Sequence, residues 1–347
     1  MHELPAYDRV LVLTEGQLGV HTAKTAASLL RYRPDEIVAV IDSASAGNDL
    51  RASIPWAPNV PILASVEQTA SLCPQALIIG IAPVGGALSP ELRRHVQAAL
   101  TAKLDVISGL HEFLADDPEL SSLADRQGAR LFDLRRPVGD RVVASARALQ
   151  TRCRRILTVG TDGNVGKMVA ALELAAAART RGLDAQFLAT GQTGIMIAGR
   201  GISVDACVAD FAPGAIEQLV LEAGESDLCV IEGQGSIAHP GFSAVTLALI
   251  HGACPDKMIL VHRVGRTHYK VPPHTRLPPL ADLVAAYDRI ATLLHPSSVA
   301  AVALNSHGCT EEHYRAEVRR IEQELHLPVA DPIRDGCDQL LDAVLSD

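Results

Sequence analysis

Short apolar runs alternate with longer amphipathic or alanine-rich stretches along the chain, the pattern of an α/β fold built on parallel sheets. In the first half, residues 9–13, 36–41, 76–81, 105–108 and 130–133 read as strands, and 22–31 and 90–102 as helices. Arg135-Arg136-Pro137 and a polar helix running to about residue 150 read as a connection. The pattern then restarts. Strands are expected at 155–159, 185–189, 228–231, 258–261 and 299–304, with helices at 167–181 and near 213–223, 243–251, 280–294 and 311–325. The 347 residues exceed what one domain usually holds. The reading is therefore two domains: a Rossmann-like N-terminal domain over 1–150 and, from the GxxxxGK run at Gly160 to Lys167, a P-loop NTPase-like C-terminal domain with a parallel sheet over 151–347.

Composition narrows the function classes. Alanine, valine, leucine and isoleucine carry the apolar load, which suits helices packed on both faces of a sheet. The net charge of −9 is dispersed, so nothing attracts nucleic acid or an anionic membrane in general. The seven cysteines form no CxxC pair and several interrupt apolar runs, so buried free thiols in a reducing compartment are expected rather than disulfides or a zinc site. Met1-His2-Glu3-Leu4-Pro5 lacks a secretion-signal pattern, and the apolar stretch 76–88 is broken by Pro83 and Gly85-Gly86. A cytoplasmic enzyme acting on a small molecule is expected, and two-domain enzymes of this size often self-associate, so a homo-oligomer is expected too.

The strongest chemical signal is Gly160-Thr161-Asp162-Gly163-Asn164-Val165-Gly166-Lys167-Met168, which fits GxxxxGK between an apolar strand and an alanine-rich helix. Glycines let main-chain amides converge on phosphate oxygens, the helix N-terminus favours anions, and Lys167 adds a cation. The position after the lysine is Met168 instead of the usual Ser or Thr, and a thioether is a poor ligand for Mg²⁺. Thr161, Asp162 or Glu232 are the remaining oxygen candidates. A pyrophosphate held without chemistry at phosphorus, as in coenzyme A, fits the loop as well as ATP does.

Other groups gather around this loop in the sequence reading. Glu232 ends a buried strand at the carboxyl edge and is a base or metal ligand, or a helix cap or partner of Lys167. Thr190-Gly191-Gln192-Thr193-Gly194 follows another strand as a turn, and Gln192 and Thr193 offer hydrogen bonds to a ligand. His239 is a general-base candidate or an ordinary loop histidine. Residues 263–279 form a long irregular segment in which Arg263 and Arg266 suit an anionic substrate, or are simply solvated. Asn305 either reads a base edge or caps a helix. In the N-terminal half, Gly16-Gln17-Leu18-Gly19 and Asp42 imitate a dinucleotide site, but GxGxxG is missing.

The GTDxxVGK loop with the TGQTG and EGQG turns resembles the fold of dethiobiotin synthetase and the cobyrinic-acid amidases. Over nearly the whole chain the residues are more similar to the two-domain family called domain of unknown function 1611. The resemblance rests on Ala23 to Ala26, Val40 to Asp42, Ile79 to Pro83, Ser108 to His111, Gly160 to Met168, Thr190 to Gly194, Val204-Asp205 and Glu232 to Pro240. The family loop usually carries Cys at the position of Gly163 and Thr at that of Val169. Characterised members acetylate D-glutamate from acetyl-CoA. The resemblance thus implies an N-acetyltransferase for a small acidic D-amino acid, with CoA phosphates on Gly160 to Met168, Glu232 or His239 as base, and Arg263 with Arg266 on the substrate carboxylates. The alternatives are an ATP- and Mg-dependent kinase or carboxylate–amine ligase, and a nucleotide-binding regulator without turnover.

Overall fold

The computed structural model describes residues 1–139 and 141–346. The chain divides into two compact units, Met1–Val138 with Ile195–Ala206, and Gly139–Gly194 with Cys207–Asp347. Among the described residues no helix is long and apolar enough to cross a membrane.

The first unit is built on six parallel strands in the spatial order Ile62–Leu63, Ile37–Ile41, Val10–Leu13, Ala76–Ile79, Asp105–Ser108, Leu131–Asp133. Numbered along the chain this is 3-2-1-4-5-6, the Rossmann order. The run Val10–Leu13 is buried on both faces, as its unbroken apolar sequence requires. The unit also takes in Arg200–Gly201, which pairs antiparallel with His2–Glu3. Nothing in the hydrophobic pattern signals so short a pairing across so long a separation.

The second unit holds another six parallel strands, ordered Val329–Ala330, Ser298–Asn305, Lys257–Arg263, Arg154–Gly160, Leu228–Ile231, Ala185–Leu188. The strand Arg154–Gly160 is central, and the helix that follows it, Lys167–Thr180, lays Ala170, Ala171, Ala175 and Ala178 against the sheet. Methyl-sized side chains let that helix approach closely, so the loop between strand and helix is held from both sides.

Several expectations change. Among the described residues the polar helix expected before residue 150 does not form, and a 3-10 turn, Arg147–Gln150, stands at its end. Ser145 and Arg147 instead donate their amides to the buried Glu217 carboxylate, at 3.1 and 2.7 Å, and Ala146 adopts a left-handed φ of 60°. Those amides are thereby satisfied outside a helix. The stretch Thr190 to Gly194 opens a short helix, Gln192–Ala198, rather than forming a free turn. A helix outside the expected set forms at Pro118–Gln127, where Asp117 caps it, Pro118 begins it and Gly128 ends it with φ 73°. Of the free cysteines, Cys153, Cys229, Cys254 and Cys337 are buried while Cys73 is exposed.

Candidate functional site: a phosphate loop

At the carboxyl edge of the second sheet the loop 161–166 turns between strand and helix with Asn164 at φ 55° and Gly166 at φ 114°. Gly166 stands at the N-cap without a side-chain cap, and among the described residues the amides of Gly166, Lys167 and Met168 form no hydrogen bond. Three unsatisfied amides at a helix N-terminus point one way, toward an anion. Gly160 leaves room for the lysine beneath them, since a Cβ there would lie 2.9 Å from Lys167 Nζ. Lys167 itself is buried and donates to the Asp162 carbonyl at 2.8 Å. Burial pushes its ammonium down to about 8, against the pull of Asp162 and Glu232 and with the help of Arg266. A cation so poorly solvated gains most when an anion joins it.

Two other polar side chains of the loop, Thr161 and Asp162, are committed to the protein. Thr161 is fully buried, with its hydroxyl 3.0 Å from His262 Nδ1. The Asp162 carboxylate accepts from Gly163 N (2.6 Å), Lys270 N (2.8 Å) and Arg266 Nη1 (2.7 Å). Asn305 donates to the Val165 carbonyl at 3.0 Å, so it braces the loop. Tyr287, fully buried, donates to the Gly160 carbonyl at 2.7 Å and accepts from Ile237 N. Gly163 has open space where a Cβ would sit.

Glu232 sits beside Lys167 in the electrostatic sense, but its Oε2 accepts from Thr190 N (2.9 Å) and Gly191 N (3.1 Å) at the entry to the helix Gln192–Ala198. The strand-end carboxylate therefore anchors the segment that carries Gln192 and Thr193. His239 is buried, stacked on Phe242 and edge-on to Tyr269, with Nε2 donating to the Val271 carbonyl (2.7 Å) and Nδ1 accepting from Gly241 N (3.0 Å). Its Nε2 lies 3.8 Å from Asp162 Oδ1. In this arrangement the imidazole has no lone pair left for a substrate amine. The two arginines differ. Arg266 is ion-paired with Asp162, whereas Arg263 is half-buried and, among the described residues, its guanidinium forms no hydrogen bond or ion pair.

Met168 after the lysine brings no hydroxyl to the position that usually serves Mg²⁺, and Thr161 and Asp162 are engaged as above. The amides and Lys167 fit a phosphate without it. In the first unit, Asp42 is fully buried and accepts from Thr14 Oγ1 (2.8 Å) and Ser45 N (3.0 Å), so the acid that imitates a ribose ligand is occupied internally.

Sequence reading missed His262 and Tyr287. Tyr287 lies in an amphipathic helix, Leu280–Ala291, where it reads as an ordinary core aromatic. His262 was detectable as the one ionisable residue inside the apolar stretch of Lys257–Arg263. Burial lowers its imidazole to about 4. Between about 4 and its ordinary 6.5 the unfolded chain binds more protons than the folded one, so stability falls as pH falls through that window. Urea unfolding of wild type and His262→Asn from pH 7 to 4 checks this: the variant is expected to lose much of the acid slope.

Residues 142–341 match the family described as "Domain of unknown function (DUF1611_C) P-loop domain", and residues 43–137 match its N-terminal counterpart, a "Rossmann-like domain". A D-glutamate N-acetyltransferase of Tritonibacter scottomollicae is 35% identical over 93% of this chain and 94% of its own length. A second protein of that name, from a Pseudoalteromonas species, is 34% identical over 80% of this chain and 83% of its own. The crystal structure of a DUF1611 family protein from Anabaena variabilis is 42% identical, covers 98% of this chain and 100% of its own, and superimposes with a TM-score of 0.93. The chain is thus a member of the domain of unknown function 1611 family, with that family's Rossmann-like and P-loop domains.

Proposed function

We propose that this chain is an N-acetyltransferase that moves the acetyl group of acetyl-CoA to the amine of D-glutamate. The observation that carries the reading is the set of free amides at Gly166, Lys167 and Met168 beside a buried, under-solvated lysine, in a loop without the hydroxyl that usually binds Mg²⁺. It is supported by the two relatives of that name, each matched over four-fifths or more of its length.

In this reading the CoA phosphates rest on the loop Gly160 to Met168, and Lys167 neutralises them. The amine nitrogen attacks the thioester carbonyl, the carbon–sulfur bond breaks, and CoA leaves as the thiol. Charge developing on the carbonyl oxygen is met by donors at the start of Gln192–Ala198, from Gln192 or Thr193. Glu232, at the end of its strand beside Lys167, takes the amine proton. His239 keeps the segment around Val271 in place instead. Arg263 binds a substrate carboxylate with its fork of donors, while Arg266 holds Asp162 and the loop.

Incubating the protein with acetyl-CoA and a panel of D- and L-amino acids, with free thiol monitored in the presence of EDTA, tests the reading. Thiol release with D-glutamate is expected, and its absence overturns the proposal. Arg263→Ala is expected to raise KM for D-glutamate about tenfold with kcat little changed, the signature of lost uniform binding.

A further inference from the structure

The geometry points to a second anion-binding site on this chain, at the edge of the second sheet opposite the phosphate loop, for a small multivalent oxyanion. A cavity of about 760 Å³ opens where the strands Arg154–Gly160, Lys257–Arg263 and Ser298–Asn305 begin. The strands are parallel, so their starts share one edge and the phosphate loop lies at the other, roughly 20 Å away along the central strand.

Charge and unused donors distinguish this cavity. Arg152, Arg154, Arg155 and Lys257 line it together with His295, against the one carboxylate of Asp256. That concentration of cations stands in a chain whose net charge is −9. Asp256 is already matched: Arg155 Nη2 donates to it at 2.7 Å and Arg155 N at 2.7 Å, and His295 Nε2 lies 2.9 Å away. Arg155 is buried, and its other donors serve the carbonyls of Ala148 and Cys254. The buried pair is complete, so its surroundings keep a positive surplus.

Two cations supply that surplus. The Lys257 ammonium forms no hydrogen bond or ion pair among the described residues and has only a longer-range attraction to Asp288, and the Arg152 guanidinium has only a solvent-exposed pair with Glu225 at 3.7 Å. The Ser297 hydroxyl in the same wall is buried without a hydrogen-bond partner. An oxyanion between Lys257 and Arg152 would satisfy that hydroxyl and neutralise the surplus through charge-assisted bonds. The cavity volume is within the range of ligand pockets. Phosphate and dicarboxylate share the needed chemistry.

Calorimetric titration of the full chain with pyrophosphate and, separately, succinate at low ionic strength tests the site. Three proteins are compared: wild type, Lys167→Ala, and the double variant Lys257→Ala with Arg152→Ala, with Lys257→Gln as a milder substitute should the double variant unfold. The expected result is a binding event that survives Lys167→Ala and weakens at least tenfold when Lys257 is replaced, with the stronger of the two titrants identifying the preferred oxyanion. The site is overturned if neither anion binds the Lys167→Ala protein, or if binding there is unchanged by replacing Lys257.

Discussion

Replacing Lys167 with alanine is expected to weaken acetyl-CoA binding by about a hundredfold, the equivalent of roughly 3 kcal/mol for a charge-assisted contact in a dry site. The loop would keep its shape, because Asn305, Tyr287 and Thr161 hold it independently of the lysine. The same residue gives a pH signature. Its folded-state value of about 8 lies below the ordinary 10.5, so the unfolded chain binds more protons between those limits. Stability of the unliganded protein therefore rises with pH across that window and is lower beneath it, by roughly 3 kcal/mol at most. Lys167→Met removes that slope. An anion on the loop restores the charge of the ammonium, so binding near pH 8 takes up protons. Titrations in buffers of different ionisation enthalpy would then give different heats, and identical heats would count against a buried, half-neutral lysine.

The second large effect is structural. At Gly233 a Cβ would lie 1.5 Å from the Thr158 carbonyl oxygen, which belongs to the central strand. Neither backbone can retreat, because Gly233 N is also bonded to Thr158 Oγ1 at 2.9 Å. Gly233→Ala is expected to cost more than about 4 kcal/mol, or to prevent folding, by forcing the turn after Leu228–Ile231 off the central strand. Gly163→Ala serves as the control, since the space beside Gly163 is open and a small effect on stability follows. Thermal melts of the two variants separate steric exclusion from a general intolerance of the loop to substitution.

The contrast shows which parts of the molecule the sequence could reveal. The phosphate loop was legible because its requirements are local: glycines, one lysine, a strand before and an alanine-rich helix after. The strand order was only partly legible, since periodicity gives strands but not neighbours. The partners of Asp162 were not legible at all, because Arg266 and Lys270 lie more than a hundred residues away and reach it through an irregular loop. The same holds for Glu232, where an acid at a strand end is compatible with a base, a metal ligand or a cap until the amides of Thr190 and Gly191 are placed. The failed helix before residue 150 has a similar origin, for its amides are satisfied by Glu217 on a distant helix. Pro118–Gln127 is the opposite case, with capping residues at both ends that were there to be read.

The central claim is that the loop from Gly160 to Met168 holds the phosphates of an acyl-CoA without a metal. The most direct measurement is a calorimetric titration of the wild-type chain with acetyl-CoA in EDTA, set beside ATP with Mg²⁺. Acetyl-CoA is expected to bind in EDTA, and to compete with ATP wherever ATP binds. Binding of ATP that requires Mg²⁺, with no binding of acetyl-CoA under either condition, would contradict it.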